Sequence, residues 1–422
     1  MEHIGIYLSN SADKDFIIDE ILANRFLKNH VDLSVLQGEL FSNITINRMI
    51  DEELKHDHFL ITSNENHSLM SMSSGQQRKA LLNYIISRQP QYIVLDDLFS
   101  SIDTETQTFI TKELTQLSQS VLLIQLFYRR HDALPFIHTV LSVDSENRIV
   151  NKQPLNQFSA IDNLPHPVQP VALPHLFTNP SPAINPLVQL NSVSAKYEDK
   201  KVLKDISWTI RSGEFWQLKG PNGSGKSTLL SMITGDNARG YGEEMILFGK
   251  KKGTGETVWD IRKNIGYFNA IMTQQFYRND SVENMIISGF VDSIGLYTKP
   301  GDLQRDIANA WLQVLGPTFR NKRFRSLTFG QQRIVLVVRA LVKHPPLLIL
   351  DEPTVGLDDE NTRLFINLIS AIASQRKVAI IYVSHRSEPE MNPDKIFELS
   401  PTSEGSTGHV VINTQENQHS KD

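Results

Sequence analysis

The sequence predicts an α/β protein built of two related units in tandem, the first of them truncated and degenerate. Three observations predict it. Gly220-Pro221-Asn222-Gly223-Ser224-Gly225-Lys226-Ser227, followed by Thr228, matches G-x-x-x-x-G-K-[ST] at every required position. Two apolar runs, Tyr92-Ile93-Val94-Leu95 and Leu347-Leu348-Ile349-Leu350, end in paired carboxylates, Asp96-Asp97 and Asp351-Glu352. Such continuous runs suit strands buried on both faces of a parallel sheet. The landmarks also recur at equal spacing. Ser73 to Asp96 and Thr328 to Asp351 each span 23 positions, and Asp96 to Asp103 and Asp351 to Asp358 each span 7. Equal spacing across three paired landmarks argues for a duplicated unit.

The glycine-rich stretch has a chemical rationale. Phosphate oxygens need backbone N–H groups turned inward from a tight loop, and glycine takes the required angles and close approach at least cost. Lys226 brings a point charge to the outer phosphates, and Ser227 offers a hydroxyl to Mg²⁺. Phe215-Trp216-Gln217-Leu218 reads as the strand before the loop, and Thr228-Leu229-Leu230-Ser231-Met232 opens a helix after it. Phosphate would then sit at a helix N-terminus, where the dipole favours anions.

Taken in order, Ile4–Leu8 reads as a strand, Ser9–Asp15 as a polar loop and Phe16–Leu27 as a helix. This resembles the order around Lys226. Laying Lys14 on Lys226 puts Leu8, Ser11 and Asp13 where the three glycines stand, and Asp15 where the Mg²⁺-side serine stands. Those side chains build no phosphate cradle, so Lys14 is expected to be a solvated surface lysine. Met72-Ser73-Ser74-Gly75-Gln76-Gln77-Arg78 precedes an apolar helix over Ala80–Ile86, and Val121–Ile124 is a further buried strand. Residues 151–186 hold Pro154, Pro165, Pro167, Pro170, Pro174, Pro180, Pro182 and Pro186 with few charges, and read as an extended linker. The second unit is expected over 187–400. It has strands at Val188–Leu190 and Ser207–Ile210, a helix through Leu341, and Ala379-Ile380-Ile381-Tyr382-Val383 leading to Ser384-His385. Residues 401–422 form a polar tail with room for one strand over His409–Ile412. The first unit is assigned to 1–150.

The 422 residues suit two to three domains, and 40% hydrophobic with 21% charged residues is ordinary for a globular chain. The net charge of −5 gives no electrostatic reason to expect nucleic acid. The absence of cysteine excludes disulfides and thiolate metal sites and accords with a reducing compartment. No basic, apolar start marks a signal peptide, and no run of about 18 apolar residues marks a membrane span. The expected location is the cytoplasm, or the inner face of the membrane.

Together these residues resemble the ATP-binding cassette (ABC) ATPases, over nearly all of 187–400 and more weakly over 4–145. The set in the second half is specific: phosphate loop, signature Leu327–Gln332, strand ending Asp351-Glu352, Asp loop Gly356-Leu357-Asp358 and switch His385. Thr234-Gly235-Asp236-Asn237, Gly240-Tyr241-Gly242 and Gly255–Ile261 further resemble the tandem-cassette proteins named for molybdate transport, also called photorepair proteins. The resemblance implies an ATPase using ATP and Mg²⁺. Asp351 would hold the Mg²⁺ water shell, Glu352 would act as general base, His385 would contact the γ-phosphate and Tyr197 would stack on adenine. In this family each ATP lies between the phosphate loop of one cassette and the signature of the other. Ser73, Gly75 and Gln76 would therefore complete the site at Gly220, Pro221, Asn222, Gly223, Ser224, Gly225, Lys226, Ser227 and Thr228.

Three departures shape the expectation. Asn269-Ala270 stand where the family has a Gln, with Gln274 and Gln275 further on. Phe329 replaces a glycine in the second signature. The first half lacks the phosphate loop, the adenine-stacking strands and a clear switch histidine, with Tyr128, Arg130 or His131 at that place, and Asp97 replaces its catalytic glutamate. One competent composite site is expected, in a monomer or homodimer, with a transmembrane permease subunit as the implied partner. The alternatives are a nucleotide-gated binding module with negligible turnover and a twin-cassette translation factor. The Pro-rich, nearly uncharged linker speaks against the latter.

Overall fold

Two parallel sheets with one strand order carry the chain. The computed structural model describes residues 2–56, 59, 61, 68–99, 102–158, 173–174, 184–198, 200–276, 279–384 and 388–412. They fall into two units: Met1–His166 with Gly356–Glu360, and Pro167–Val355 with Asn361–Asp422.

The first unit runs β1 (Ile4–Leu8), α1 (Lys14–Leu22), β2 (Gly38–Phe41), α2 (Asn43–His56), α3 (Ser74–Ser87), β3 (Tyr92–Leu95), α4 (Thr104–Leu117), β4 (Leu122–Phe127), β5 (Thr139–Val143) and β6 (Ile149–Pro154). Its sheet is ordered β2-β3-β4-β1-β5-β6, parallel except for β6. Alternate residues of the apolar runs serve opposite faces. Ile93, Leu95 and Leu123 pack with Leu81 and Ile85 on one side, and Val94 and Ile124 pack with Ile17 and Ile21 on the other. Helix α1 ends at Leu22, short of the expected Leu27, because Asn24 takes φ 54° and its side chain accepts the Leu33 N–H at 2.9 Å. The boundary expected at 150 falls inside β6, whose Asn151–Gln153 pair with β5, and Phe158 is buried in the same core. Most of the expected linker lies outside the described residues. The Asp-loop segment counts with this unit: the Asn10 N–H donates to the Asp358 carboxylate at 2.8 Å, and the Asn10 amide donates to the Gly356 carbonyl at 2.9 Å.

Lys14 is not the solvated lysine expected. Its ammonium lies 3.1 Å from the Asp96 carboxylate, which also accepts the Ser42 hydroxyl at 2.7 Å, and Asp96 is 2% exposed. Burial pulls the lysine's pKa down, but the adjacent Asp96 and Asp97 more than offset it and hold it above its usual range. Asp13 caps α1 by accepting the Phe16 N–H at 3.1 Å. The place of a phosphate loop is thus taken by a helix cap and an internal ion pair.

The second unit continues with β7 (Val188–Tyr197), β8 (Lys200–Ile210), β9 (Phe215–Lys219), α5 (Lys226–Ile233), β10 (Met245–Leu247), β11 (Lys250–Lys251), α6 (Val258–Arg262), β12 (Ile265–Asn269), α7 (Met272–Gln275), α8 (Val282–Ile287), α9 (Asp302–Leu315), α10 (Phe329–Leu341), β13 (Leu347–Asp351), α11 (Asp359–Ser374), β14 (Ala379–Val383), β15 (Lys395–Ser400) and β16 (Thr407–Ile412). Its main sheet is ordered β12-β13-β14-β9-β15-β16, parallel except for β16. A second, antiparallel sheet, β11-β10-β7-β8, covers one face. Trp208 of that layer stacks on Phe397 at 4.4 Å between centroids and meets Trp216 edge-on at 5.6 Å. Among the described residues the first unit has no such layer.

The ion pair of the first unit generates a prediction. Replacing Lys14 by Met leaves Asp96 buried beside Asp97 without its cation, and should cost about 1–3 kcal/mol of stability. Urea unfolding of Lys14→Met measures it. Stability equal to the parent's would return Lys14 to the solvent.

Candidate functional site

The described candidate residues gather at the carboxyl ends of β9, β13 and β14, which lie side by side in the main sheet. This is where an open parallel sheet changes direction and binds ligands. The loop from Gly220 to Ser227 leaves β9, and α5 starts at Lys226 with Gly225 as its cap at φ 89°. A Cβ on Gly225 would come within 2.7 Å of Leu203, so position 225 needs glycine for both angle and space. Gly220 is similar, since a Cβ there would meet Ser224 Oγ at 2.7 Å and the Leu399 carbonyl at 2.8 Å. Ser224 is fully buried, and among the described residues its Oγ has no hydrogen-bond partner. The Lys226 ammonium bends over the loop and donates to the carbonyls of Gly220 at 2.7 Å and Pro221 at 3.0 Å. Ser227 is exposed on the first turn.

Asp351 is the last residue of β13, in register with Asn269 on one side and Val383 on the other. Burial raises its carboxyl above the usual range; Lys226 acts in the opposite direction, as does a 3.5 Å hydrogen bond donated by the Tyr267 hydroxyl. Tyr267 is itself pushed up to about 12 by burial and then by the Asp351 charge. No sequence motif signalled Tyr267; only its place on β12, opposite β13, does so. Glu352 follows with φ 50°, and its N–H donates to the Val383 carbonyl at 2.9 Å. A left-handed glutamate costs on the order of 1 kcal/mol and turns the side chain out of the strand's alternation. Asp97 repeats the feature in the first unit at φ 54°. Ser384 is buried at the end of β14, and His385 lies outside the described residues.

Desolvated Asp351, influenced by Lys226, and the hydroxyl of Ser227 are hard oxygen donors of the kind Mg²⁺ takes with phosphate completing its shell. The residues therefore fit Mg²⁺ and a nucleotide triphosphate. Of the two candidates for the family's Gln, Gln275 lines a cavity of about 270 Å³ together with Asn269, Tyr267 and Arg339, and the Gln274 side chain is not described. The Arg339 guanidinium is buried against Phe276 at 4.8 Å, and burial lowers it to about 10.

Both signature serine/threonine positions are helix caps. Ser73 Oγ accepts the Gln76 N–H at 3.3 Å, and Gln76 accepts the Ser73 N–H at 2.9 Å. Thr328 and Gln331 repeat this at 3.3 and 3.2 Å on α10. A Cβ on Gly75 would stand 2.9 Å from Thr106 Oγ1, so this glycine also sets the approach of α3 to α4. Phe329 lies under the Arg333 guanidinium at 4.4 Å. Tyr197 ends β7 with 40% of its surface exposed.

Comparison with known proteins identifies the family. The family described as ABC transporter matches residues 203–355. The chain is 34% identical over 395 residues to the ABC transporter ATP-binding protein ModF of Escherichia coli K12, covering 88% of this chain and 79% of that protein. It is 37% identical over 204 residues to the ABC transporter ATP-binding protein YlmA of Bacillus subtilis, covering 48% of this chain and 77% of that one. A solved chain from the complex of archaeal ribosomal stalk protein aP1 and the ribosome recycling factor aABCE1 superimposes with TM-score 0.61 at 12% identity, over 96% of this chain and 85% of that one, and shares the fold. No helix among the described residues is long and apolar enough to cross a membrane. On these likenesses and the two cassette-type units, the chain belongs to the family of ABC transporter ATP-binding proteins.

Proposed function

We propose that the chain is an ATPase with one competent site, acting as the ATP-binding component or regulator of a transport system of molybdate type, in the cytoplasm or against the inner membrane face. The observation that carries the hydrolytic part is the pairing at the end of β13. A half-buried carboxylate within the influence of Lys226 is followed at once by a left-handed glutamate. In this reading the loop amides and Lys226 hold the phosphates. Ser227 and Asp351 would hold Mg²⁺, whose charge offsets that developing on the phosphoryl oxygens. Glu352 accepts the proton of the attacking water. Tyr197 stacks on adenine, and His385 contacts the γ-phosphate. The first unit supplies Ser73, Gly75 and Gln76 to complete the site, while its own remnant, with Lys14 engaged by Asp96, takes no nucleotide. The implied partner is a permease subunit.

Glu352→Gln keeps the shape and removes the base. It should leave ATP affinity within about twofold and slow single-turnover hydrolysis by roughly 10²- to 10⁴-fold. Unchanged turnover would assign the proton to another group. No turnover in the parent chain, with ATP still bound, would favour the nucleotide-gated module.

Ser73→Arg and Thr328→Arg form a matched pair, because each removes the same kind of helix cap, worth about 1 kcal/mol. Any difference in ATPase rate beyond that shared loss reports on the nucleotide. Ser73→Arg should abolish hydrolysis, and Thr328→Arg should retain most of it. The reverse result, with dimers seen by light scattering, would mean that two second units from different chains pair. Equal loss would restore nucleotide binding to the first unit.

A further inference from the structure

Tyr197 is the last residue of β7, at the tip of a hairpin, and two-fifths of its surface is exposed. A ring so placed would ordinarily sample several rotamers, and ordering it on ligand binding would cost affinity. Here two side chains from the turn after α5 hold it. The Arg239 guanidinium carbon lies 5.6 Å from the ring centroid. The Asn237 side-chain amide donates to the Tyr197 hydroxyl at 2.6 Å.

Asn237 is itself fixed at every polar atom. Its Oδ1 accepts the Arg239 N–H at 3.0 Å, and its Nδ2 also donates to Ser231 Oγ at 3.0 Å. Its own N–H donates to the Ser231 carbonyl at 3.0 Å. Ser231 Oγ in turn donates to the Thr228 carbonyl at 2.8 Å. Thr228 lies in the first turn of α5, the helix whose start carries Lys226. A continuous set of hydrogen bonds therefore joins the Tyr197 ring to the helix behind the phosphate loop.

We propose that Asn237 and Arg239 are positioning residues for the adenine base. They lock Tyr197 at a set distance from the phosphate loop, with one face of the ring covered by Arg239 and the other left for the purine. The cation behind the ring also draws its π density back, which lowers the repulsion between two stacked rings. This rests on the reading that Tyr197 stacks on adenine. It gives a task to Asn237 of the stretch Thr234-Gly235-Asp236-Asn237, which the phosphate chemistry leaves without one.

The test measures binding of ATP and of tripolyphosphate, a probe with no base, to the full chain by competition with a fluorescent nucleotide. Arg239→Ala and Asn237→Ala should each weaken ATP by roughly 3- to 10-fold and leave tripolyphosphate within about twofold. Arg239→Lys, which keeps the cation, should recover most of the loss. Tyr197→Ala should weaken ATP at least as much, and adding Arg239→Ala to it should change nothing further. If Tyr197→Ala weakens ATP and Arg239→Ala does not, the positioning role is wrong and the platform stands. If Tyr197→Ala binds ATP like the parent, the platform reading fails and the positioning role with it. Equal losses for ATP and tripolyphosphate would make the two residues mere supports of α5 and overturn the proposal.

Discussion

A carboxylate kept short of water organises the second unit. Asp351 ends a strand hydrogen-bonded on both sides, so its backbone cannot move to find solvent. Its side chain is largely buried, and the groups that favour its charge are Lys226 and the Tyr267 hydroxyl. A charge in such a place is costly unless cations come to it. The tight glycine loop brings one on Lys226, and the exposed Ser227 leaves a hydroxyl for another. The close packing of Gly220 against Ser224 and Leu399, and of Gly225 against Leu203, keeps the loop at this distance.

The first unit handles the same requirement with its own side chains. Its sheet has the same strand order, and Asp96 directly follows β3 where Asp351 ends β13. There Lys14 and Ser42 sit directly on the carboxylate, at 3.1 and 2.7 Å. In the second unit Lys226 leans on loop carbonyls instead, which phosphate oxygens can replace as partners. One arrangement is neutralised internally, and the other, in the proposed function, would take an anion and a cation from outside.

The signature residues have local duties of their own. Ser73 and Thr328 cap helices by the same reciprocal pair of hydrogen bonds, and Gly75 permits a close helix crossing. Each residue has a folding reason to be there.

The sequence by itself determined the α/β class, the duplication, the phosphate loop and the acidic strand ends. These are local: glycine at required angles, apolar runs at strand length, and spacings set by one chain segment. Several features were decided only by tertiary structure. Lys14 read as a solvated lysine because its partner Asp96 is 82 positions away and meets it only across the sheet. Tyr267 carried no motif, since its relation to Asp351 comes from the register of β12 on β13. The support of Tyr197 by Asn237, 40 positions on, arises where a hairpin tip meets the turn after α5. Charge, burial and ring contacts of this kind belong to pairs of residues, and the fold alone chooses the pairs.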